Sequence, residues 1–462
     1  MPEVFHFIGN SYEVKSMDAL PRILCSMERI SQRLKSGGRV MAENTRRPVV
    51  KKKEVIVKKS DVMLKQTKTK ESINHNSERT DKKAPCPIYK KCGGCQLLHM
   101  SYEEQLAFKK KQTSKLLSPY CKVEEIIGMD KPEYYRCKVN AAFGRDRKGN
   151  IISGVFKEGT HMIVPVEKCL LEDEQADAIM KTIRGLLKSF KIKTYDEDTG
   201  HGLLRYVQIR KGYVTGQVMV VLVLASPIMP SKNNFVKALR KEHPEITTVI
   251  VNVNDKRTSM VLGEKQQVIY GPGFIEDRLC GMTFKISPKS FYQVNPPQAE
   301  KLYRKAIEYA HLTGKETVLD AYCGTGTIGM IAAEKAGRVL GVELNPEGVR
   351  DAIANAKKNQ VSNIRFYQAD AGNFMVQLAD AGEKIDVVLM DPPRAGSSEK
   401  FLSSLLRLKP ERVVYVSCNP ETLARDLKYL CNNGYRAKKA AAVDMFPFTD
   451  DTEAVVLLTR GK

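Results

Sequence analysis

Apolar and polar positions alternate differently in three stretches of the chain. Beyond about residue 285, short apolar runs at 317–321, 339–343, 364–367, 387–390 and 413–417 are separated by glycine turns and helical spans. Runs of this length read as strands buried on both faces, and their alternation with helices predicts a doubly wound, mostly parallel α/β sheet. Residues 440–443 and 454–458 predict a final antiparallel pair. Between 135 and 275 the pattern shifts towards strict alternation with glycine turns, which predicts a smaller α+β central domain. Its clearest strands are 218–224 and 247–254, and a helix is expected over 173–190. A further helix is predicted from Ser101 to Leu117, opened by a Ser-x-x-Glu capping signal at Ser101 and Glu104. The first 85 residues offer only short apolar pieces at 4–8 and 20–24, then a polar stretch with Lys51-Lys52-Lys53, Lys58-Lys59 and Lys82-Lys83. Residues 36–84 carry too little apolar surface for a core and read as disordered. The expected division is a basic N-terminal region at 1–85, a central domain at 86–284 and a C-terminal domain at 285–462.

Composition narrows the partners. A net charge of +22 over 462 residues points first to nucleic acid, then to an anionic membrane, or simply to a solvated basic tail. No apolar run is long enough to span a bilayer, and the start lacks the pattern of a signal peptide. Eleven cysteines without a secretion signal argue for metal binding or catalysis over a disulfide framework.

Three segments carry candidate chemistry. Val318-Leu-Asp-Ala-Tyr-Cys-Gly-Thr-Gly-Thr-Ile-Gly329 is a strand, a glycine-rich turn and a helix start, and Glu343 closes the next strand about twenty residues on. Taken alone this suits a dinucleotide or S-adenosylmethionine, since both offer ribose hydroxyls to the acid. Asp391-Pro-Pro-Arg394 after the fourth strand, with Asp320 before the turn, favours S-adenosylmethionine: an acid on a rigid turn at the sheet's carboxyl edge suits a sulfonium. Cys86-x5-Cys92-x2-Cys95 brings three thiols within ten residues. A fourth ligand must then come from Cys121, Cys137, Cys169 or His99, and spacing leaves zinc and a 4Fe–4S cluster equally open. Finally, Arg412-Val-Val-Tyr-Val-Ser-Cys-Asn-Pro420 ends a strand at Cys418, on the edge where open α/β sheets bind ligands. A lone cysteine there is otherwise a small buried hydrophobe.

Together these motifs resemble the RNA uracil-5-methyltransferase family, in particular its iron–sulfur 23S ribosomal RNA branch. The resemblance extends from about residue 86 to the end. It rests on the cysteine motif running to His99, Pro165-Val-x-x-Cys169, Leu204-Arg-x-x-x-Ile-Arg210, Ser290-Phe-Tyr-Gln-Val-Asn295, the segments at 320–324, 391–396 and 417–420, and Phe446-Pro-x-Thr449. It implies a Rossmann-like methyltransferase domain beside a central domain carrying a metal-cluster loop. It also implies a 4Fe–4S cluster on Cys86, Cys92, Cys95 and Cys169, and S-adenosylmethionine contacts by Gln293, Tyr322, Glu343 and Asp391. Cys418 becomes a nucleophile that adds to C6 of uracil, and Glu453 the base that removes the C5 proton. The expected substrate is 23S rRNA, with the T-loop uridine of tRNA as the alternative. A cytoplasmic location is expected, with no membrane and no obligate protein partner. An amino-methyltransferase is disfavoured because Arg394 follows the two prolines where those enzymes place an aromatic residue. A non-catalytic iron–sulfur RNA-binding protein would need neither Cys418 nor Glu453. Phe291, Tyr292 and Phe446 are candidates for stacking on RNA bases, or for core packing. The chain departs from the family in two places. Residues 1–85 lack the strand spacing of the RNA-binding TRAM barrel, which leaves RNA capture to the basic tail and the central domain. Asp451 stands where the family has histidine, two residues before Glu453.

Overall fold

The computed structural model describes residues 3–8, 11–16 and 85–461, so the expectation of disorder over 36–84 lies outside the described residues. The chain opens with an antiparallel hairpin of β1 (Glu3–Ile8) and β2 (Ser11–Ser16). Next come a single turn, α1 (Tyr89–Cys92), the longer α2 (Tyr102–Leu117) and β3 (Val123–Ile127). The predicted capping box opens α2. The Ser101 hydroxyl accepts the Glu104 N–H, and the Glu104 carboxylate accepts the Ser101 N–H.

The middle region contains β4 (Lys138–Arg145), β5 (Ile151–Phe156), β6 (Ile163–Pro165), α3 (Glu174–Ser189), β7 (Leu204–Lys211), β8 (Val218–Leu224), α4 (Lys232–Glu242), β9 (Ile246–Val253) and β10 (Lys265–Tyr270). Its strands form one sheet in the order β10-β9-β8-β7-β4-β5-β6. All seven residues of β8 are buried, and the pleat explains why the sequence there is an unbroken apolar run. Val218, Val220, Leu222 and Leu224 join a core with residues of α3 and α4, while Met219, Val221 and Val223 join the core of the C-terminal region. The central sheet is therefore sandwiched, and its second face packs against the C-terminal region.

The C-terminal region begins with a hairpin of β11 (Ile275–Leu279) and β12 (Met282–Ile286) and the helix α5 (Pro296–Ala310). It continues through β13 (Thr317–Ala321), α6 (Thr327–Ala333), β14 (Arg338–Glu343), α7 (Pro346–Lys358), β15 (Ile364–Gln368), α8 (Ala371–Asp380), β16 (Val387–Met390), α9 (Glu399–Leu408), β17 (Arg412–Ser417), α10 (Pro420–Asn432), β18 (Tyr435–Val443) and β19 (Glu453–Arg460). The ten-stranded sheet runs β2-β1-β15-β14-β13-β16-β17-β19-β18-β3. Its five central strands are parallel, and β17, β19 and β18 pair antiparallel as expected. The chain winds outward from β13 through β14 to β15, then returns to the other side of β13 as β16. The switch point between β13 and β16 opens a crevice at their carboxyl ends, which is where such sheets bind ligands.

Sequence order groups residues 86–127 with the central region, but hydrogen bonding puts β3 parallel to β18 in the C-terminal sheet. Helix α2 is tied to the same sheet by a buried ion pair. The Lys109 ammonium donates to Asp444 at 2.5 Å and to the Phe446 carbonyl at 2.9 Å, with both charged side chains fully enclosed. Gln105 accepts the Phe448 N–H, and the Leu97 N–H donates to the Phe448 carbonyl. The turn from Asp444 to Phe448, which leads into β19, is thus held by the segment around the cysteine motif.

A buried charge stripped of its partner is costly. Lys109→Met is expected to lower unfolding stability by about 3–5 kcal/mol in urea titrations, and Lys109→Met with Asp444→Leu to recover part of that loss. A Lys109→Met chain of unchanged stability would show that the pair does not hold the turn.

Candidate active site and cysteine cluster

The loops after β13, β14, β16 and β17 meet at the switch point. After β13, Tyr322, Gly324 and Gly326 all take positive φ, at 66°, 56° and 81°. The strain falls hardest on Tyr322, which has a Cβ to accommodate. A Cβ on Gly326 would sit 2.8 Å from the Phe366 ring, so only glycine allows the turn to pass there. The Asp320 carboxylate accepts the Gly329 N–H at 2.7 Å and pins the turn to α6. Glu343, at the end of β14, accepts the N–H of Gly324 at 3.0 Å and of Asn345 at 2.7 Å. The cofactor turn and its acid are therefore one hydrogen-bonded unit.

A cavity of about 660 Å³ opens over this edge. Its wall brings together all six residues singled out in the sequence as cofactor or catalytic candidates: Gln293, Tyr322, Glu343, Asp391, Cys418 and Glu453. Asp391 follows β16 directly, and burial raises its carboxyl to about 7. Burial also raises Asp320, to about 8, with Asp391 and Glu343 adding to the effect against the Gly329 N–H. Gln293 belongs to a loop moored from the central sheet. The buried Arg210 of β7 donates to the carbonyls of Ser287 at 2.6 Å and Ser290 at 2.8 Å. In that loop Tyr292 is buried, whereas Phe291 is 61% exposed at the cavity. Phe446 is half-buried against the core and also reaches the cavity wall. Of the three aromatic candidates for stacking, Tyr292 is core, and Phe291 presents the freest face.

Cys418 owes its position to the turn that ends β17. The Asn419 N–H donates to the Ser417 hydroxyl, and Asn419 caps α10 by accepting the Glu421 N–H, with Pro420 at the first helical position. The thiol thus stands beside a helix N-terminus, whose partial positive charge favours a thiolate. Burial works the other way and pushes the thiol up to about 12, helped by Glu453 and Asp391 and opposed by Arg394. Glu453, the first residue of β19, is 3% exposed, and burial raises its carboxyl well above the carboxylate range, with Asp391 and Asp451 adding and Arg394 opposing. Arg394 donates to Asp451 at 2.6 Å, and both line the cavity. Sequence reasoning missed Arg136 and Tyr303, which line it too. Neither sits in a motif, since Arg136 precedes β4 and Tyr303 lies on the inner face of α5.

The thiols of Cys86, Cys92 and Cys169 all act on Cys95, whose thiol burial raises to about 12, with those three adding and Arg136 opposing. Gly93 takes φ 72° to end α1, and this folds the motif back on itself. Cys86, Cys95 and Cys169 pack against Leu98, Tyr135, Leu171 and Phe448. The Leu171 N–H donates to the Cys169 sulfur at 3.4 Å. Of the alternative fourth ligands, Cys121 has Cys431 as its thiol neighbour, and Cys137 donates to the Gln293 carbonyl. Among the described residues, no group of three or more Cys, His, Asp or Glu side chains closes around a point as a single metal ion requires.

Comparison with known proteins agrees with this geometry. The profile of the family described as tRNA (Uracil-5-)-methyltransferase matches residues 101–461. An uncharacterized RNA methyltransferase of Halalkalibacterium halodurans is 42% identical over 380 residues, 81% of this chain and 83% of its own. One from Clostridium acetobutylicum is 42% identical over 395 residues, 84% and 85% of the two chains. Among solved structures, the Pyrococcus abyssi tRNA (uracil-54, C5)-methyltransferase in complex with S-adenosyl-L-homocysteine is similar with a TM-score of 0.67 and 31% identity. The match covers 79% of this chain and 86% of that one. The cavity at the switch point, the strand order around it and these relatives lead to one assignment: the chain belongs to the tRNA (uracil-5-)-methyltransferase family.

Proposed function

We propose that this cytoplasmic enzyme methylates C5 of a uridine in RNA, with 23S rRNA as its target, through a covalent adduct between Cys418 and C6 of the base. The observation that carries the reading is the convergence of Cys418, Glu453, Gln293, Tyr322, Glu343 and Asp391 on one cavity at the switch point. Glu343 and the glycine turn bind the adenosine ribose of S-adenosylmethionine. Asp391, Gln293 and Tyr322 line the path to its sulfonium, which supplies the methyl group. Uracil C5 is too weak a nucleophile to accept a methyl group unaided. The Cys418 thiol gives up its proton to water, the thiolate adds to C6, and the electron pair displaced onto the ring makes C5 an enolate carbon that takes the methyl. Glu453 must first lose the proton that burial favours, and as a carboxylate it then removes the C5 proton. The C–H electrons restore the double bond and expel the thiolate. The base must leave its stack to reach Cys418, and Phe291 offers it an exposed aromatic face.

The choice of 23S rRNA rests on the resemblance carried by the four cysteines. The shared packing of Cys86, Cys95 and Cys169 and the N–H bond to the Cys169 sulfur support ligation there, and a 4Fe–4S cluster spaces its ligands more widely than a single ion. Bound there, the cluster would cross-link the 86–95 segment to Cys169. A second reading, methylation of a tRNA uridine, is favoured by the likeness to the Pyrococcus abyssi enzyme. Mass-spectrometric mapping of 5-methyluridine in ribosomal and transfer RNA, with and without the protein, separates the two.

Anaerobically purified protein is expected to be brown, with about four iron and four sulfide per chain. Cys169→Ala should lose this chromophore, and Cys121→Ala and Cys137→Ala should keep it. Stoichiometric zinc without iron would exclude the cluster.

Cys418→Ala should form no RNA adduct and reduce methylation to background while still binding S-adenosylmethionine. Glu453→Gln loses only the elimination step, so methyl-labelled RNA should remain attached to Cys418 on a denaturing gel. Normal turnover by Glu453→Gln would assign the base elsewhere, and residual methylation by Cys418→Ala would end the covalent mechanism.

A further inference from the structure

We propose that Asp451 is a positioning residue, whose carboxylate fixes the Arg394 guanidinium as the counter-charge for negative charge passing from the Cys418 sulfur to the uracil ring. The inference deepens the uracil-5-methylation reading and rests on it. Arg394 is anchored twice. Its carbonyl accepts from the Asn419 amide at 3.2 Å and the Thr422 hydroxyl at 3.1 Å, which fixes its backbone to the turn that carries Cys418. Its guanidinium donates to Asp451 at 2.6 Å, which fixes its side chain to the segment that leads into Glu453. The Asp451 N–H donates to the Thr449 hydroxyl, so the carboxylate is itself seated. One ion pair thus spans the loops of the nucleophile and the base.

The charge inventory says why this is needed. Glu343, Asp391, Asp451 and Glu453 line the cavity against two guanidiniums, Arg136 and Arg394. Asp391 and Glu453 both disfavour a thiolate at Cys418, and Arg394 is the neighbouring side chain that favours one. A guanidinium has five N–H donors, so one edge can hold Asp451 while others remain for a ring oxygen. Left unheld on its long stem, Arg394 would have many rotamers, since its side chain is 67% exposed.

The test uses the full chain with RNA carrying 5-fluorouridine. Its C6 accepts the thiolate and its C5 the methyl group, but with no C5 proton to remove the adduct persists. Single-turnover adduct formation therefore reports the charge-developing steps without elimination. Asp451→Asn should slow adduct formation by about tenfold to a hundredfold, with KM for RNA changed by less than about threefold and S-adenosylhomocysteine binding intact as a check on folding. Asp451→Glu, which keeps the charge, should lose less. Arg394→Gln should cost at least as much as Asp451→Asn, and the double variant no more than Arg394→Gln alone, because the two act as one unit. Additive losses, or an Asp451→Asn chain that forms adduct at the full rate, would overturn the proposal. Absence of adduct from the unsubstituted chain would instead refute the covalent reading on which it rests.

Discussion

The turn that leads into Glu453 is held by a buried lysine. Lys109 and Asp444 lie fully enclosed at 2.5 Å, and the same ammonium caps the Phe446 carbonyl. In the interior, such a pair persists only when geometry and further hydrogen bonds offset the desolvation of both charges. Gln298 contributes here by donating to the carbonyls of Ile127 and Asp444, joining α5 to the turn and to β3. Through this knot, α2, β3, α5 and the 444–448 turn form a single support. Asp451 and Glu453 extend from it into the cavity.

That support explains why the cysteine segment belongs beside the methyltransferase sheet. Leu97 and Gln105 grip the turn at Phe448, and Phe448 packs in the same small core as Cys86, Cys95 and Cys169. A cross-link among those cysteines would stiffen the frame of the cavity from behind.

Much of this was legible in the sequence, and the limits have a physical pattern. Five parallel strands, the final antiparallel pair and the capping box at Ser101 follow from local signals: period, turn residues and caps. Glu343, Asp391 and Cys418 follow from motifs at strand ends, where topology converts sequence position into spatial convergence, whereas Gln293, Tyr322 and Glu453 enter through the family resemblance. What the sequence concealed is long-range and polar. Lys109 sits in a charged helix and reads as solvated until Asp444, 335 residues away, meets it. Arg210 stands in a quoted motif, but nothing local shows that its partners are the carbonyls before Phe291. Strand β3 gives no sign that it will leave its neighbours in sequence to join β18. Each of these depends on a partner brought near only by the finished fold.

The electrostatics of the cavity run against those of the chain. With a net charge of +22 the protein attracts a polyanion, yet four carboxyl groups and two guanidiniums line the site. Burial raises Asp391 to about 7 and Glu453 well above the carboxylate range, so the site carries less negative charge than its number of carboxyl groups suggests. A sulfonium is welcome, and a neutral pyrimidine is tolerated. The net positive charge of the chain suits the backbone of an RNA, and the cavity suits a base.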